Sequence, residues 1–214
     1  MAGVLLTGFE PFGGASVNPS WTAALLAATE PPAGVRAEAV LLPCVFGDAI
    51  TALRAAVRRT APDLVLCVGQ AGGRPDITLE RIAVNLDDAS IPDNAGRQPV
   101  DEPVVPGGPA AYFSTLPLKA CVAAVREAGL PASVSQTAGT FVCNHVFYGL
   151  MHLAATELPS LRGGFVHIPF SPAQVADQSR PSLPESCSAE ALRVIMATAL
   201  TRTDDLRAAE GAVC

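Results

Sequence analysis

Cys143 is the residue whose type and position most clearly suggest catalytic chemistry, because it stands where a helix is expected to begin. The preceding residues, Ala138-Gly-Thr-Phe-Val142, form a glycine-containing turn, and an apolar helical segment follows as far as Thr156. The free N–H groups and the dipole at a helix N-terminus favour a thiolate, the nucleophilic form of cysteine. A small buried residue without chemistry is the common alternative. A nucleophile is therefore predicted here, provided that a base lies nearby.

The sequence contains three histidines, so the base can be sought by elimination. His145 lies two residues beyond Cys143, which turns its side chain about 200° around the helix. His152 lies nine residues beyond, roughly 13 Å along the axis and on the opposite side. His167 remains, in the apolar segment Gly164-Phe-Val-His-Ile-Pro-Phe170, close to the carboxyl end of an expected strand. We predict that His167 is the base, against the alternative of a core histidine bonded to a backbone carbonyl.

A third group normally orients such a base, and Glu80 is the candidate. It lies in Ile77-Thr-Leu-Glu-Arg-Ile-Ala-Val84, an otherwise apolar strand in which an acid without a partner is costly. Arg81 points to the opposite face of that strand, so a buried ion pair with some other cation is the structural alternative. Asp87 and Asp88 are rival orienting acids, although both resemble turn residues at the end of the strand.

Three phenylalanines flank the glycine-rich turns near these residues: Phe9, Phe12 and Phe141. A single phenylalanine in such a place usually belongs to the core. Three of them near one nucleophile predict a flat apolar slot, in which Gln70 supplies the polar contact that sets the orientation of a ligand.

The elements that must position these residues alternate between strands and helices. Strands are expected at Val4–Phe9, Val35–Leu42, Asp63–Gly69, Ile77–Leu86, Ala132–Gln136 and Phe165–Phe170. Helices are expected from the cap Asn18, at Asp48–Arg59, Pro117–Ala128, Cys143–Thr156 and Ala189–Thr201. This order predicts a single three-layer α/β domain over residues 1–214. Ligands bind at the carboxyl ends of strands in such sheets, so the turns after Phe9, Gly69 and Gln136 are expected to face one crevice.

A proline-rich segment, Ser90–Pro109, interrupts this alternation with five prolines and three glycines. Proline lacks an N–H donor, so the segment is not expected to join the sheet. Loops of this length usually serve function, and we favour a lid over the site, with Ile91 reaching the ligand. Packing against another subunit is the alternative.

Composition limits the kind of protein. Charged residues make up 16% of the 214 positions, which is few for a protein surface, so part of the surface is expected to be covered in a homo-oligomer. The net charge of −6 argues against nucleic-acid binding. No signal peptide or apolar stretch of membrane-spanning length is recognisable, which predicts a cytoplasmic protein without membrane association. The six cysteines are widely spaced, so free thiols and no metal site are expected.

Several long motifs resemble the pyroglutamyl peptidase I (pyrrolidone carboxyl peptidase) family, in the family's order, over about residues 3–175. They are Gly8-Phe-Glu-Pro-Phe-Gly-Gly14 with Asn18-Pro-Ser-Trp21, Gly69-Gln-Ala-Gly-Gly-Arg74, Ile77-Thr-Leu-Glu-Arg81, Asn85-Leu-Asp-Asp-Ala89, Tyr112-Phe-Ser-Thr-Leu-Pro117, Ser135-Gln-Thr-Ala-Gly-Thr-Phe-Val-Cys-Asn-His145 and His167-Ile-Pro-Phe170.

The resemblance implies a cysteine peptidase that removes N-terminal pyroglutamate from peptides through a thioester on Cys143. The family's catalytic residues match Glu80, Cys143 and His167. The resemblance further implies an open, twisted, mixed α/β/α sheet of the phosphorylase/hydrolase type, no cofactor, and often a homotetramer in bacteria. It assigns a pyroglutamyl pocket to the vicinity of Phe9, Phe12, Gln70, Phe141 and Val142.

Two other functions are compatible with the elements alone. One is a nucleoside phosphorylase-like enzyme, in which the glycine turns would hold a phosphate. The other is a non-catalytic binding protein on the same fold, which the joint presence of Glu80, Cys143 and His167 disfavours.

Overall fold

A six-stranded sheet forms the centre of the molecule, for which a computed structural model describes residues 1–175 and 179–211. The strands of the described chain are β1 (Ala2–Phe9), β2 (Val35–Leu42), β3 (Leu64–Gln70), β4 (Ile77–Glu80), β5 (Ile82–Val84), β6 (Ala111–Phe113), β7 (Ala132–Ser135) and β8 (Arg162–Ile168). The helices are α1 (Pro19–Thr29), α2 (Asp48–Thr60), α3 (Leu118–Glu127), α4 (Val142–Thr156) and α5 (Glu185–Thr201), with one 3₁₀ turn at Pro172–Gln174.

The strand order in the central sheet is β2-β1-β3-β8-β4-β7. Strands β2, β1, β3 and β8 are parallel, whereas β4 runs antiparallel to β8 and parallel to β7. The open mixed sheet predicted from the resemblance is confirmed.

Helices cover both faces of this sheet. Helices α1, α3 and α5 pack on one face around a core that includes Leu66 and Val166. Helices α2 and α4 pack on the other face with Phe165 and Cys67. Residues of one strand alternate between these two cores, as the pleat requires, so His167 lies on the same face as Phe165. The predicted three layers are therefore present, and His167 faces the layer that contains α4.

Most element boundaries lie within a few residues of those predicted from the sequence. The cap of α1 is as predicted, because the Asn18 side chain accepts a hydrogen bond from Ser20 N and Pro19 occupies the first helical position. Strand β8 begins at Arg162, three residues before the predicted Phe165. Its two leading glycines let neighbouring groups approach closely, since a Cβ on Gly163 would lie 2.7 Å from the Val65 carbonyl oxygen.

One predicted strand, Ile77–Leu86, is in fact two. The main-sheet strand β4 stops at Glu80, and β5 pairs with β6 in a separate two-stranded sheet. Asn144 of α4 holds this second sheet, because its amide bonds to both the N–H and the carbonyl of Val84 at 3.0 and 2.9 Å. The break at Arg81 therefore follows from a tertiary contact that strand periodicity does not contain.

The three glycine-rich turns do meet, but not for the reason that the sequence suggested. Strand β7 runs opposite to β3 and β8, so the turn after it does not start from the same edge of the sheet. The chain returns through residues 136–141, and the rings of Phe12 and Phe141 come within 5.9 Å of each other. Arg74, which follows β3, donates to the Thr137 carbonyl at 3.0 Å.

Five of the six cysteines lie in the described residues, and all five are free thiols; Cys214 lies outside them. Across residues 1–175 and 179–211, no helix combines the length and the apolar character needed to cross a bilayer.

Candidate active site

His167 and Glu80 form a buried hydrogen-bonded pair across neighbouring strands. His167 faces Thr78 in the antiparallel register of β8 and β4, so Glu80 lies two residues farther along on the same face. His167 Nδ1 is 2.7 Å from Glu80 Oε1. The Glu80 side chain is fully covered, and 4% of the His167 side chain is exposed. An ionised carboxylate only accepts hydrogen bonds, so Nδ1 carries the proton and Nε2 is the atom able to act as a base.

The rival acids and the other histidines lie in different contacts. Asp87 Oδ2 is 2.8 Å from His145 Nδ1, so this acid orients a histidine other than His167. Asp88 is exposed, and its backbone bonds to the turn before α4. His152 Nδ1 is 2.9 Å from the Tyr112 hydroxyl. His145 and His152 therefore have partners away from Cys143, in agreement with the helical geometry.

Glu80 also has the cation partner that the sequence left open. Arg74 Nη1 donates to Glu80 Oε1 at 2.6 Å, and thus to the same oxygen that His167 contacts. The second oxygen, Oε2, is buried and has no hydrogen-bond partner among the described residues. The orienting contact and the buried ion pair are therefore both present.

Cys143 is the second residue of α4 and is half-buried. A Cβ placed on Gly69 would lie 2.8 Å from the Cys143 sulfur. Gly69 is the residue of β3 that pairs with His167 of β8. The sulfur therefore occupies the space left by the missing side chain beside His167. The N-cap residue Phe141 offers no side-chain acceptor, so it does not occupy the first N–H groups of the helix.

Burial raises the pKa of the Cys143 thiol above its ordinary value. The neighbouring Cys44, Glu80 and Cys67 raise this pKa further, whereas Arg74 lowers it. The N-terminal end of α4 also acts to lower it. With burial as the largest influence, the thiol keeps its proton at neutral pH unless a base removes it.

Aromatic rings surround this cluster in two groups. Phe9 is covered and packs against Phe165, whose ring centroid is 4.8 Å from that of His167. Phe12 and Phe141 are half-buried, and Phe141 meets Phe46 edge to face at 5.4 Å. Phe12 and Phe141 therefore have surface available for a ligand, whereas Phe9 supports the site from below.

Val142, the first residue of α4, is fully buried next to Cys143. It belongs to the same core as α2 and α4 and fixes the start of the helix there.

Gln70 ends β3, and its amide is oriented by Gln174. Gln174 Oε1 accepts from Ser171 N at 2.9 Å, and Gln174 Nε2 donates to the Val17 carbonyl at 3.3 Å. Backbone groups cannot exchange donor and acceptor roles, so the orientation of the Gln174 amide is determined. Its Nε2 also donates to Gln70 Oε1 at 2.8 Å. Gln70 Nε2 is consequently the donor end of that side chain.

The proline-rich segment lies against the turn that follows β1. Asn94 Nδ2 donates to the Pro11 carbonyl at 2.9 Å, and the Ile91 side chain would touch a Cβ on Gly13 at 3.5 Å. Asp93 stabilises the segment from within, because its Oδ1 accepts from two backbone N–H groups of the segment. Ile91 is 40% exposed, so it can still contact a ligand.

The sequence analysis assigns no individual role to four residues of this region: Arg74, Gly69, Phe46 and Gln174. Arg74 could have been predicted from the sequence, because a buried acid requires a cation and Arg74 ends the glycine turn before β4. Within residues 1–175 and 179–211, no group of three or more His, Cys, Asp or Glu side chains is arranged to hold a metal ion.

Comparison with known proteins relates residues 2–202 to the pyroglutamyl peptidase family. The chain is 65% identical over 215 residues to the pyrrolidone-carboxylate peptidase of Streptomyces coelicolor, with 99% of each chain covered. It is 56% identical over 213 residues to that of Klebsiella pneumoniae, again with 99% of each covered.

Solved structures give the same relationship. Pyroglutamyl peptidase I from Bacillus amyloliquefaciens superposes with a TM-score of 0.95 at 47% identity, covering 97% of this chain and 99% of that one. A variant of pyrrolidone carboxyl peptidase from Pyrococcus furiosus gives a TM-score of 0.89 at 41% identity, covering 93% and 98%.

Proposed function

The chain belongs to the pyroglutamyl peptidase family, and we propose that it hydrolyses the bond after an N-terminal pyroglutamyl residue with Cys143, His167 and Glu80. One observation carries the residue assignment. The Cys143 sulfur packs over Gly69, the strand neighbour of His167, while His167 donates to the buried Glu80. This arrangement supports the assignment of Cys143 as nucleophile, His167 as base and Glu80 as the acid that orients the base.

The reaction follows from the protonation states of the three groups. His167 Nε2 takes the thiol proton as the Cys143 sulfur attacks the pyroglutamyl carbonyl carbon. The imidazolium, stabilised by Glu80, then gives this proton to the leaving amine as the C–N bond breaks, which leaves a thioester. Water attacks the thioester with His167 again accepting the proton, and the thiol is regenerated with free pyroglutamate. Because burial raises the pKa of the Cys143 thiol, a general base is needed rather than a pre-formed thiolate.

The tetrahedral intermediates carry a negative oxygen that needs hydrogen-bond donors. The backbone N–H of Cys143 is our candidate, since it lies in the first turn of α4, where N–H groups have no helical acceptor. Such donors typically contribute a factor of about 10²–10³ to kcat.

The substrate class follows from the chemistry of the pocket. A pyroglutamyl ring is flat and neutral and has one ring carbonyl, which suits the apolar surfaces of Phe12 and Phe141. Ile91 on the proline-rich segment would close this slot. Gln70 Nε2 can donate to the ring carbonyl. A free N-terminal ammonium would lose its hydration there without gaining a partner, so the slot selects against it.

The proline-rich segment serves as a lid in this proposal. Its contact with Pro11 keeps Ile91 beside the turn that carries Phe12. A covering segment would exclude bulk water while the thioester forms.

We further propose that the chain is a single domain that works in the cytoplasm as a homo-oligomer, with a tetramer as the expected form. The five free thiols suit a reducing compartment. Val100 and Phe113 are each 67% exposed, which supplies apolar surface for association. Light scattering of the purified chain tests the oligomeric state, and a monomer at micromolar concentration contradicts it.

The decisive test is release of aminomethylcoumarin from its pyroglutamyl derivative. The wild-type chain should turn over this substrate, and Cys143→Ser should lose nearly all activity while keeping its melting temperature within a few degrees. Iodoacetamide should inactivate the wild type, with labelled Cys143 in the peptide map. Substantial turnover by Cys143→Ser would overturn the assignment of the nucleophile.

A further inference from the structure

Arg74 makes contacts that join the acid of the proposed triad to the loop leading to the nucleophile. We propose that Arg74 is a positioning residue, which compensates the buried charge of Glu80 and ties β4 to the turn that precedes α4. This inference rests on the proposed function, because it assumes that Glu80 orients His167 for Cys143.

The charge of Glu80 needs a permanent compensating cation. Its side chain is fully buried, and its Oε2 has no partner among the described residues. A buried carboxylate without compensation takes up a proton instead of staying charged. His167 cannot compensate at the start of the reaction, since a base must be neutral at that stage. Arg74 can, because a guanidinium keeps its charge throughout the working pH range.

The guanidinium has the geometry of a bridge. Nη1 donates to Glu80 Oε1 at 2.6 Å and to Thr78 Oγ1 at 2.7 Å, so it binds two side chains of β4. Nη2 donates to the Thr137 carbonyl at 3.0 Å. Thr137 lies in the turn that runs from β7 to Cys143, so one side chain fixes the acid relative to the approach of the nucleophile. Lysine, with a single nitrogen, cannot reproduce this fork.

The same ion pair affects when His167 is available as a base. With Arg74 present, Glu80 and Arg74 together are electrically neutral. Without Arg74, the carboxylate of Glu80 faces His167 with no compensating cation. Glu80 and His167 then keep one shared proton up to a higher pH, whether that proton is on the carboxyl group or on the imidazole. The other titratable group against this cluster is Cys143, with Cys44 and Cys67 behind it, and each of these thiols is neutral at the pH concerned because burial raises its pKa.

Arg81 provides a matched control. It is also near the end of β4, and its Nε donates to the Gln136 side chain at 2.9 Å, so it too ties that strand to the turn before α4. It makes this bond in an exposed position, whereas Arg74 contacts the fully buried carboxylate of Glu80. A purely structural link between strand and turn would therefore be shared by both arginines, whereas the charge effect belongs to Arg74 alone.

The experiment measures kcat and kcat/KM for pyroglutamyl-aminomethylcoumarin between about pH 5 and 9 in full-length variants, since kcat/KM reports groups of the free enzyme. Arg74→Gln should move the acidic limb of the profile upward by about one pH unit or more, with activity below the limb reduced about tenfold. Arg74→Lys should keep the limb of the wild type but lower kcat several-fold. Arg81→Gln should change neither.

Three results overturn the inference: an unmoved limb in Arg74→Gln, a moved limb in Arg74→Lys, or a wild-type kcat in Arg74→Lys. If Arg74→Gln lacks a cooperative melting transition, the two Arg74→Lys criteria decide. A failure of the proposed function has a different signature, because the wild type would then be inactive or Cys143→Ser would be active.

Discussion

The sulfur of Cys143 lies where a side chain on Gly69 would begin, since a Cβ built on Gly69 comes within 2.8 Å of it. The same Cβ would approach Phe165 Cζ to 2.8 Å. Gly69 is also the strand partner of His167. The absence of a side chain at this one position therefore leaves room for the Cys143 sulfur of α4 next to the strand partner of His167.

Gly69→Ala should consequently displace the sulfur. Both neighbours of the new methyl group are held, one by the start of a helix and the other by the core, so neither can move cheaply. A displacement of about 1 Å at a reacting atom costs on the order of 10²-fold in rate. We expect kcat to fall by that factor, with about 1–3 kcal/mol lost in the free energy of unfolding from overpacking. Steady-state kinetics and urea denaturation measure both, and wild-type kcat would contradict the geometry.

Alkylation of Cys143 should depend on His167. Burial raises the pKa of the thiol, so without a base the thiolate is scarce at neutral pH and increases as the pH rises. In His167→Ala the rate of iodoacetamide labelling should rise about tenfold per pH unit between about pH 7 and 9. The wild type should label faster at pH 7 and depend less steeply on pH.

Peptide mapping by mass spectrometry follows this labelling for each thiol. Burial raises the pKa of Cys67 and Cys121 to about 12, so both should react slowly in either protein. Cys187 is partly exposed and serves as the internal reference. Equal labelling of Cys143 in wild type and His167→Ala would remove His167 from the role of base.

Glu80→Gln should retain the shape of the acid but lose its charge. The amide cannot stabilise the imidazolium that forms on His167. Its NH₂ group is a donor, so it cannot accept the hydrogen bond from His167 Nδ1–H. A loss on the order of 10²-fold or more in kcat is expected by analogy with orienting acids in other triads. Asp87→Asn should leave the pH profile of kcat unchanged, because Asp87 contacts His145. The opposite pattern would make Asp87 the functional acid.

Gln174→Leu should weaken recognition of the pyroglutamyl ring, although Gln174 acts on the ring only through Gln70. Loss of the Gln174 donor removes the contact that holds Gln70 Oε1, so the Gln70 amide can rotate. We expect KM for the pyroglutamyl substrate to rise several-fold with kcat little changed, and the preference over a prolyl substrate to fall. Gln70→Leu should do the same more strongly, since a lost hydrogen bond to a buried polar group is worth about 1–3 kcal/mol. Unchanged KM in both variants would remove Gln70 from the pocket.

Replacing residues 99–106 with a short glycine-serine linker separates the two roles considered for the proline-rich segment. The replacement removes the pairing of Glu102 with Asp87 and the contacts of Val105 with Asn85, which hold the segment down. A raised KM with unchanged oligomeric mass supports the lid, and dissociation supports a subunit interface. No change in either quantity defeats both.

The sequence by itself determined the elements and the candidates. Apolar periodicity and glycine turns predict a three-layer α/β/α arrangement, and the three histidines could be sorted by helical geometry alone. His145 and His152 point away from Cys143 because positions along one helix have fixed angles, which a local pattern contains. The long motifs added the family and the same three residues.

Only the tertiary structure decided how these candidates meet. The direction of β4 and β7, the break at Arg81 and the choice of Glu80 over Asp87 as the partner of His167 depend on contacts between segments far apart in the chain. Periodicity reports which face of a strand is buried, but it contains no information on strand direction or on which buried charge meets which. The contact of Arg74 with Glu80 has the same origin, because a buried acid predicts that a cation exists, whereas its identity depends on the packing of the whole sheet.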